Sequence, residues 1–470
     1  MKLPLMRENI RCHLKAWKVR ELPILKAIDV ISSFMRSLVA ICIVSSLSLI
    51  LYSAFSTHLK WLQCCSQTAS TIDLMPQYEE TNITHIVFGI ASSAHTWNQR
   101  RHYSEVWWKP NITRGFLWLD NEPNMDEPWP LVLPPYRVSE NISQFKYTRE
   151  LGSRSSIRIA RIVKETFELG MENVRWFVMA DDDTVFFTEN LVTVLTKYDH
   201  NQMYYIGGNS ESVEQNVMHS YNMAYGGGGF AISYPLAAEL VRVLDGCLDR
   251  YASLYGSDEK IQACLSEINV PITRELGFHQ VDVRGDIYGL LAAHPVAPLV
   301  SLHHLDYLEP LVPTMTQIDA LKLLMKVYNA DPGRILQQSY CYDLRRNWTV
   351  SMAWGYSVQL YPILETTKHL ETPIQTFWTW RSYSSGPFIF STRPFSPDPC
   401  ERPLIYFFDW VEGTGQGQGQ TLTTYKRIES YSQALCERSQ YGEVGYFNVS
   451  APIMEPDYWM KVCRPMCLLN

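Results

Sequence analysis

The sequence predicts an α/β protein: a mostly parallel sheet with helices on its faces, a β-rich C-terminal module after it, and one N-terminal membrane helix before it. Three observations predict this. Strand-like apolar runs alternate with helical periodicity between residues 85 and 268, strand-like alternation returns after Ser339, and a long uncharged segment lies near the N-terminus. The 470 residues are 46% hydrophobic and 19% charged, with a net charge of -7. This composition excludes a disordered polymer and a strongly basic nucleic-acid binder.

The uncharged segment Ser37–Phe55 has 19 mostly apolar residues, about enough to cross a bilayer as a helix. Residues 1–36 carry eight basic and three acidic side chains, so the positive-inside rule places this tail in the cytosol. We interpret the segment as the anchor of a single-pass type II membrane protein, with residues 56–78 as a stem and the rest lumenal. A cleavable signal peptide fits less well, because the preceding region is long and no small-residue cleavage site follows. A buried core helix is the other alternative.

Sequons and cysteines agree with a lumenal location for the chain after the anchor. The five Asn-X-Ser/Thr sequons all follow it, and they begin at Asn82, Asn111, Asn141, Asn347 and Asn448. Nine of the eleven cysteines also follow it, without the paired C-x-x-C spacing of a zinc site. Disulfides are therefore predicted, with no pairing assigned.

Residues 79–338 form the predicted α/β domain. The predicted strands are His85–Ile90, Arg114–Asp120, Val174–Ala180, Tyr204–Ile206 and Ala224–Ser233. Helical spacing of apolar residues predicts a helix over 156–170, a proline opens another over 235–247, and a third is predicted over 259–268. This order is typical of βαβ units and a parallel sheet.

Residues 339–470 form the predicted β-rich module. Apolar residues alternate with small or polar ones from Val350 to Leu360, which we interpret as one half-buried strand. Further strands are predicted at Phe377–Trp380 and Leu404–Phe408, and the glycine-glutamine tract 413–420 predicts a surface loop. The aromatic residues of this module suit either sheet packing or stacking against sugars.

Three consecutive aspartates are the first candidate for chemistry. Asp181, Asp182 and Asp183 follow directly on a buried strand, at the sheet edge where α/β proteins bind ligands. An oxygen-rich cluster suits Mg²⁺ or Mn²⁺ carrying phosphates. The alternative is an acidic turn that caps local backbone groups.

Three further motifs follow the aspartates. The glycines from Gly226 to Gly229 precede Phe230 in a strand, where glycine indicates a close approach to the backbone or else a simple bulge. Asp258 and Glu259 stand at a helix start, as a general base or as acids favoured by the helix dipole. His303 and His304 end an apolar run, and one imidazole there could complete a metal site or simply pack.

Taken together, these motifs resemble the fringe-like and β-1,3-galactosyltransferase-like group of inverting glycosyltransferases. The segments WFVMADDDTVFF, AYGGGGFAIS, GSDEKIQACL, GLLAAHPVAPLVSLHHLD and RNWTVSMAWGYSVQL resemble more closely the plant family labelled DUF604. The resemblance extends from about Thr84 to the C-terminus.

The resemblance implies a GT-A (Rossmann-like) glycosyltransferase domain in the Golgi lumen that transfers a sugar from a UDP-sugar to a glycan or glycoconjugate hydroxyl, with Mn²⁺ or Mg²⁺. It places Asp181, Asp183 and His303 on the metal, with His303 fitting better than His304 or His279. It makes Glu259 or Asp258 the base that deprotonates the acceptor. The donor-binding residues that it implies are Asp182, Gly227, Gly228 and Phe230, with Ala91, Ser92 and Arg100 as further contacts.

Two other functions are compatible with these residues. A metal-dependent hydrolase would require a second metal-binding cluster or a positioned water base. A catalytically inactive lectin or scaffold on the same fold would bind a glycan without UDP. The choice of UDP-sugar and acceptor, and the β-1,3 linkage, depend on pocket shape rather than on these motifs. Oligomeric state is not encoded in them either, and they are compatible with a homodimer.

Overall fold

The computed structural model describes residues 35, 39–48, 80–124, 128–413, 419–428, 431, 440–454 and 466–468. The chain divides into two compact units, Met1–Tyr78 and Glu79–Asn470. In the first unit, residues 39–48 are helical and expose apolar side chains such as Ile41 and Val44. The rest of the predicted anchor and the whole stem lie outside the described residues. Within the part that is described, no helix has both the length and the hydropathy needed to cross a membrane.

The second unit contains strands and helices in mixed order, as the α/β prediction requires. The strands are β1 (Ile86–Ala91), β2 (Arg114–Leu119), β3 (Tyr136–Val138), β4 (Trp176–Asp181), β5 (Val185–Phe186), β6 (Tyr205–Gly207), β7 (Phe230–Ser233), β8 (Ile272–Arg274), β9 (Phe278–His279), β10 (Val283–Gly285), β11 (Ser301–Leu302), β12 (Gln338–Asp343), β13 (Trp348–Ala353), β14 (Ser357–Tyr361), β15 (Phe377–Thr379), β16 (Leu404–Gly413), β17 (Gln420–Arg427), β18 (Tyr446–Pro452) and β19 (Met466–Leu468). The α-helices are α1 (Trp97–Trp107), α2 (Ser155–Glu168), α3 (Thr188–Leu195), α4 (Val213–Met218), α5 (Tyr234–Arg250), α6 (Ser257–Glu267), α7 (Tyr288–Ala292), α8 (Gln317–Ala330) and α9 (Thr367–Leu370).

The main sheet has the strand order β3-β2-β1-β4-β7-β6-β8. β3, β2, β1 and β4 are parallel, β7 runs antiparallel between β4 and β6, and β8 is parallel to β6. Every residue of β1 is buried, which explains its continuous apolar run. Helices α2, α5 and α6 cover one face of the sheet. The parallel-rich α/β domain is therefore confirmed.

A second sheet of seven strands forms the C-terminal part, in the order β18-β17-β16-β14-β13-β12-β19. It is antiparallel except for β12 and β19. Buried residues Phe88 of β1, Leu321 of α8 and Val358 of β14 belong to one apolar core, which joins this sheet to the α/β domain through α8. The β-rich C-terminal part is confirmed, and it shares its core with the domain before it.

Two predicted strands differ from the structure. The alternating stretch 350–360 is not one strand but the hairpin of β13 and β14, which turns at Gly355 with a φ of +77°. The predicted strand 224–233 begins only at Phe230, because Gly226–Gly229 form a turn closed by a hydrogen bond from Gly229 N to Gly226 O. Hairpin turns and glycine turns both interrupt strands without breaking the apolar pattern around them.

A disulfide joins α5 to α6 through Cys247 and Cys264, which are both fully buried. Cys341 and Cys400 each take part in a disulfide as well, but not with each other. The disulfide prediction is thus confirmed in the described part of the chain, while Cys64, Cys65, Cys436 and Cys463 lie outside it.

Removing the α5–α6 disulfide is expected to destabilise the α/β domain. Its cysteines are 17 residues apart, and closing a loop of that size stabilises a fold by about 3 kcal/mol in the chain-entropy model. Chemical denaturation of the Cys247→Ala/Cys264→Ala variant should measure a loss of this order. The exposed free Cys42 gives the matched control, since Cys42→Ser should not change the free energy of unfolding. Equal stability of both variants would contradict the prediction.

Candidate functional site

The aspartate triplet lies at the carboxyl end of β4, the central parallel strand. Asp181 is the last residue of β4 and is half-buried, while Asp182 and Asp183 turn inward and are buried. Thr184 Oγ1 accepts a hydrogen bond from Asp181 N (3.2 Å) and donates one to Gly227 O (2.7 Å). The aspartate turn is therefore tied directly to the glycine-rich turn.

His303 completes an acidic cluster with two of these aspartates. Its Nε2 lies 3.1 Å from Asp183 Oδ1 and 3.8 Å from Asp181 Oδ2. One ligand atom from each of the three side chains falls within 4.8 Å of the others. Asp183 Oδ1 is buried and makes no hydrogen bond of good geometry to a described residue. A buried carboxylate oxygen without a well-formed hydrogen bond, beside a second acid and an imidazole, fits a divalent cation such as Mn²⁺ or Mg²⁺.

The small sheet β5-β11-β9 brings His303 to this position. β11 ends at Leu302, immediately before His303, and pairs with β5 just after the aspartates. His304 adopts a left-handed backbone with a φ of 54°, and its Nδ1 lies 3.0 Å from Asp282 Oδ1. His279 Nδ1 lies 3.1 Å from Glu211 Oε1. Among these three histidines, the structure places His303 at the aspartates and engages the other two elsewhere.

The charges of this cluster depend strongly on one another. Although burial disfavours its ionised form, the positive charges of His303 and Arg100 hold the pKa of Asp183 well below its usual range. Burial disfavours the charged imidazole of His303 too, yet Asp183 and Asp181 raise its pKa to about 9. Burial raises the pKa of Asp181 to about 7. Without a cation, the proton on His303 balances the charge of these acids. A bound cation would take over this role, and His303 would lose that proton.

Asp182 points to the opposite side of the turn from His303. Ser92 Oγ donates to its Oδ2 at 2.6 Å, and Arg100 Nη1 of α1 lies 3.0 Å from its Oδ1 and 3.3 Å from Asp183 Oδ2. Ala91, which precedes Ser92 at the end of β1, lines a small cavity with Asp181. The predicted donor-contact residues at the end of β1 and on α1 therefore all adjoin the aspartates.

Arg158 supports this edge of the sheet and was not predicted from the sequence. It is buried on α2, where its Nη1 donates to Trp118 O (3.0 Å) and its Nη2 donates to Ser92 O (2.7 Å). These bonds fix the ends of β2 and β1 next to each other. The local sequence does not mark it, because consecutive residues are about 100° apart around a helix and Arg158 lies outside the predicted apolar face of Ile159, Ile162 and Val163.

Gly227 and Gly228 of the glycine turn are packed so closely that neither can carry a side chain freely. A Cβ on Gly227 would lie 2.1 Å from Cε1 of His303, and one on Gly228 would lie 3.0 Å from the backbone N of Gln280. Gly228 N donates to Gln280 Oε1 at 2.6 Å. Phe230, the first residue of β7, is buried. Gly227 is thus required by the position of His303.

Substitution of Gly227 by alanine is expected to displace the His303 imidazole and weaken Mn²⁺ binding by at least roughly 10-fold, as loss of a well-oriented ligand does. Titration calorimetry with Mn²⁺ measures this effect. Gly226→Ala is the matched control, because a Cβ there would meet its nearest atom at an ordinary 3.7 Å. Equal Mn²⁺ affinity of the two variants would show that His303 does not bind the ion.

The two acids at the start of α6, Asp258 and Glu259, have different surroundings. Asp258 Oδ2 accepts from Gly226 N at 3.1 Å, and this residue lines the same cavity as Asp181 and Phe230. Burial raises the pKa of Asp258, as suits a proton acceptor. Asp258 is therefore the member of the pair beside the aspartate triplet.

Glu259 serves the helix start instead. Its Oε2 accepts from Tyr255 N (2.7 Å) and Gly256 N (3.4 Å), and its Oε1 lies 2.5 Å from His219 Nδ1. Although burial opposes it, the hydrogen bond with His219 lowers the pKa of Glu259. Its carboxylate therefore binds backbone N–H groups at the helix N-terminus, where the helix dipole favours an acid, as one interpretation of the sequence proposed.

The five sequon asparagines lie at or near the surface. Asn111, Asn141, Asn347 and Asn448 are exposed, and Asn82 is half-buried at the cap of the turn before β1. Their positions allow attachment of a glycan but do not test it.

Two known families match parts of the chain that together contain most of this site. Residues 215–468 match the family described as "Protein of unknown function, DUF604", and residues 138–285 match the family described as "Fringe-like". The first match covers the glycine turn, the acidic pair, His303 and the C-terminal sheet, and the second covers the aspartate triplet. Among curated proteins, the chain is 26% identical over 146 residues to the beta-1,3-N-acetylglucosaminyltransferase lunatic fringe of Danio rerio. The alignment covers 29% of this chain and 36% of that relative. The chain thus spans about a third of the length of this curated relative.

Proposed function

The chain belongs to the DUF604 family, and from this premise we propose that it is a glycosyltransferase that transfers a sugar from a UDP-sugar to a hydroxyl group of a glycan or glycoconjugate. The observation that carries the proposal is the convergence of Asp181, Asp183 and His303 at the end of β4, within a chain that also matches a Fringe-like model. The fold we propose for residues 79–338 is GT-A, in which such a strand end binds a nucleotide-sugar.

Asp181, Asp183 and His303 would hold the divalent cation of this reaction, with Mn²⁺ as the proposed ion. When bound, the ion would neutralise negative charge on the diphosphate of the donor. Arg100 supplies a fixed positive charge beside Asp182 and Asp183 and would bind phosphate oxygens. The Ser92 hydroxyl and the Arg158 guanidinium keep this edge of the sheet rigid.

Asp258 is the proposed base. It would accept the proton of the acceptor hydroxyl while that oxygen attacks the anomeric carbon from the face opposite UDP. The bond from the anomeric carbon to the phosphate oxygen breaks, UDP leaves with the electron pair, and the anomeric configuration is inverted. No covalent intermediate on the protein is required. The raised pKa of the half-buried Asp258 suits it to hold the proton.

The structure gives the metal-dependent hydrolase less support than the transferase. Among the described residues, Asp181, Asp183 and His303 are the one group of three or more acidic, histidine or cysteine side chains placed to share an ion. A two-metal hydrolase would need a second group.

The test is a screen of the full-length chain against UDP-sugars, with and without Mn²⁺, for UDP binding and for sugar transfer or donor hydrolysis. Selective turnover that requires Mn²⁺ would support the proposal and identify the donor. Well-folded protein that binds a glycan but not UDP would overturn it and establish a lectin or scaffold. The linkage of the product, proposed as β-1,3, is read from the same reaction.

The proposed location is the Golgi membrane, with the chain after about Thr57 in the lumen. This rests on the apolar segment Ser37–Phe55 and on the exposed sequon asparagines beyond it. Digestion of the expressed chain with an N-glycosidase should reduce its apparent mass, and an unchanged mass would contradict a lumenal location.

A further inference from the structure

A groove with a mixed polar and apolar lining lies beside Glu259, the second acid of the pair at the start of α6. It encloses about 470 Å³, within the roughly 300–1,000 Å³ range of small-molecule sites. Glu259 and His219 form part of its wall, and Tyr255 adds an aromatic ring with 42% of its surface exposed. Glu259, which lines the groove, is the residue next to Asp258, the proposed base.

Two arginines from distant parts of the chain line this groove. Arg149 comes from the loop before α2, and Arg381 comes from the segment that follows β15 in the C-terminal part. Both are exposed, and neither forms an ion pair with a described acidic side chain. Arg381 Nε donates to Gln215 Oε1 at 2.9 Å, which holds its guanidinium in place while its Nη groups stay available.

Two acids near these arginines, Glu259 and Glu214, are already engaged. Glu259 accepts two backbone N–H groups and contacts His219. Glu214 Oε1 accepts the backbone N–H groups of Arg381 (2.6 Å) and Ser382 (3.3 Å). The two guanidinium groups therefore remain to bind an anion, and guanidinium recognises carboxylate and sulfate oxygens through paired hydrogen bonds.

The segment that carries Arg381 is held firmly at the candidate metal site. The neighbouring Trp380 stacks on His304 with ring centroids 4.4 Å apart and planes at 7°. Arg284 lies over the same indole at 3.8 Å. Because His304 follows His303 in the chain, the C-terminal part builds one wall of the groove in a fixed position relative to the aspartates.

We propose that this groove binds the acceptor, and that the acceptor is an anionic glycan whose uronate carboxylate or sulfate pairs with Arg149 and Arg381 while a sugar ring packs on Tyr255. The inference rests on the proposed transferase function and adds its acceptor class. It also gives the C-terminal β-rich part a direct role in substrate binding.

The experiment measures binding of three disaccharides of one backbone to the full-length chain: one with a glucuronic acid, one with a sulfate, and a neutral one with glucose. Charge-assisted hydrogen bonds should favour an acidic ligand over the neutral one by roughly 10-fold. The Arg149→Gln/Arg381→Gln variant should lose this preference and still bind UDP. Arg242→Gln, an exposed arginine of α5 paired with Glu239, is the matched control and should keep it.

The outcomes separate this inference from the function on which it rests. Equal affinity for acidic and neutral disaccharides in the unaltered chain would overturn the inference even if UDP binds, and this comparison needs no variant to fold. A preference that survives the double substitution would also overturn it. Preference for an acidic ligand without UDP binding would retain the groove as a glycan site and overturn the transferase. The relative affinity of the uronate and the sulfate identifies the acidic group.

Discussion

Replacing Asp183 by asparagine is expected to lower Mn²⁺ affinity by at least roughly 100-fold, more than loss of an outer-shell partner does. Asp183 is buried, its Oδ1 lies 3.1 Å from His303 Nε2, and its Oδ2 lies 3.3 Å from Arg100. Asparagine keeps the size of the side chain but removes the negative charge. His303 and Arg100 would then face a neutral amide, and their positive charge would repel a divalent cation. UDP-sugar turnover should be lost together with the bound ion.

Asp182→Asn is the matched control for this change. It removes the same charge from the neighbouring residue, but the carboxylate of Asp182 is bound by Ser92 and Arg100 rather than placed with His303. Its effect on Mn²⁺ affinity should therefore be only a few-fold. Titration calorimetry, or the electron paramagnetic resonance signal of free Mn²⁺, measures both variants. Similar losses for the two would mean that net charge, and not coordination by Asp183, attracts the ion.

The aspartate triplet and the elements around it could be predicted because their signals are local. A long apolar run that ends in acids marks a buried strand that delivers carboxylates to the edge of the sheet. The choice of His303 over His304 and His279 followed from family resemblance, since nothing local distinguishes these histidines. In the structure the distinction arises from β5, β9 and β11, which are two-residue strands too short to leave a periodic pattern.

Other features depended on contacts between distant residues. The hairpin turn at Gly355 is hidden because apolar alternation continues through it, and Gly355 N is fixed by the Tyr425 hydroxyl 70 residues later. The stacking of Trp380 on His304 joins residues whose local sequences carry no sign of each other. Periodicity reports which side of an element is buried, but it does not report which partner covers that side.

For the acidic pair, the sequence did not reveal the direction of each side chain. At a helix start, two consecutive acids point in different directions, and the sequence does not show which one turns toward the sheet. In the structure, Glu259 binds the N–H groups of Tyr255 and Gly256 at the start of α6, while Asp258 lies against Gly226, beside Asp181. The two residues can therefore be distinguished by substitution.

Asp258→Asn is expected to lower kcat by roughly 10²- to 10⁴-fold, the range for loss of a general base. Binding of Mn²⁺ and UDP should be retained, because Asp258 is outside the cluster of Asp181, Asp183 and His303. Because burial raises the pKa of Asp258, the proposed activity of the unaltered protein should be lost as the pH falls through a value above that of an ordinary aspartate, where the base becomes protonated. Asp258→Asn should remove this acid limb from the profile of kcat/KM against pH.

Glu259→Gln is the matched comparison, since it makes the same change one residue later. Glutamine can still accept the N–H groups of Tyr255 and Gly256, so these bonds at the helix N-terminus are kept and stability should fall by less than about 1 kcal/mol. Its kcat should stay within a few-fold of the unaltered value. If Glu259→Gln instead gave the larger loss of kcat, the base would lie on the groove side of α6, next to His219. His219 would then act as the partner that orients it, and Asp258 would be left with its structural bond to the glycine turn.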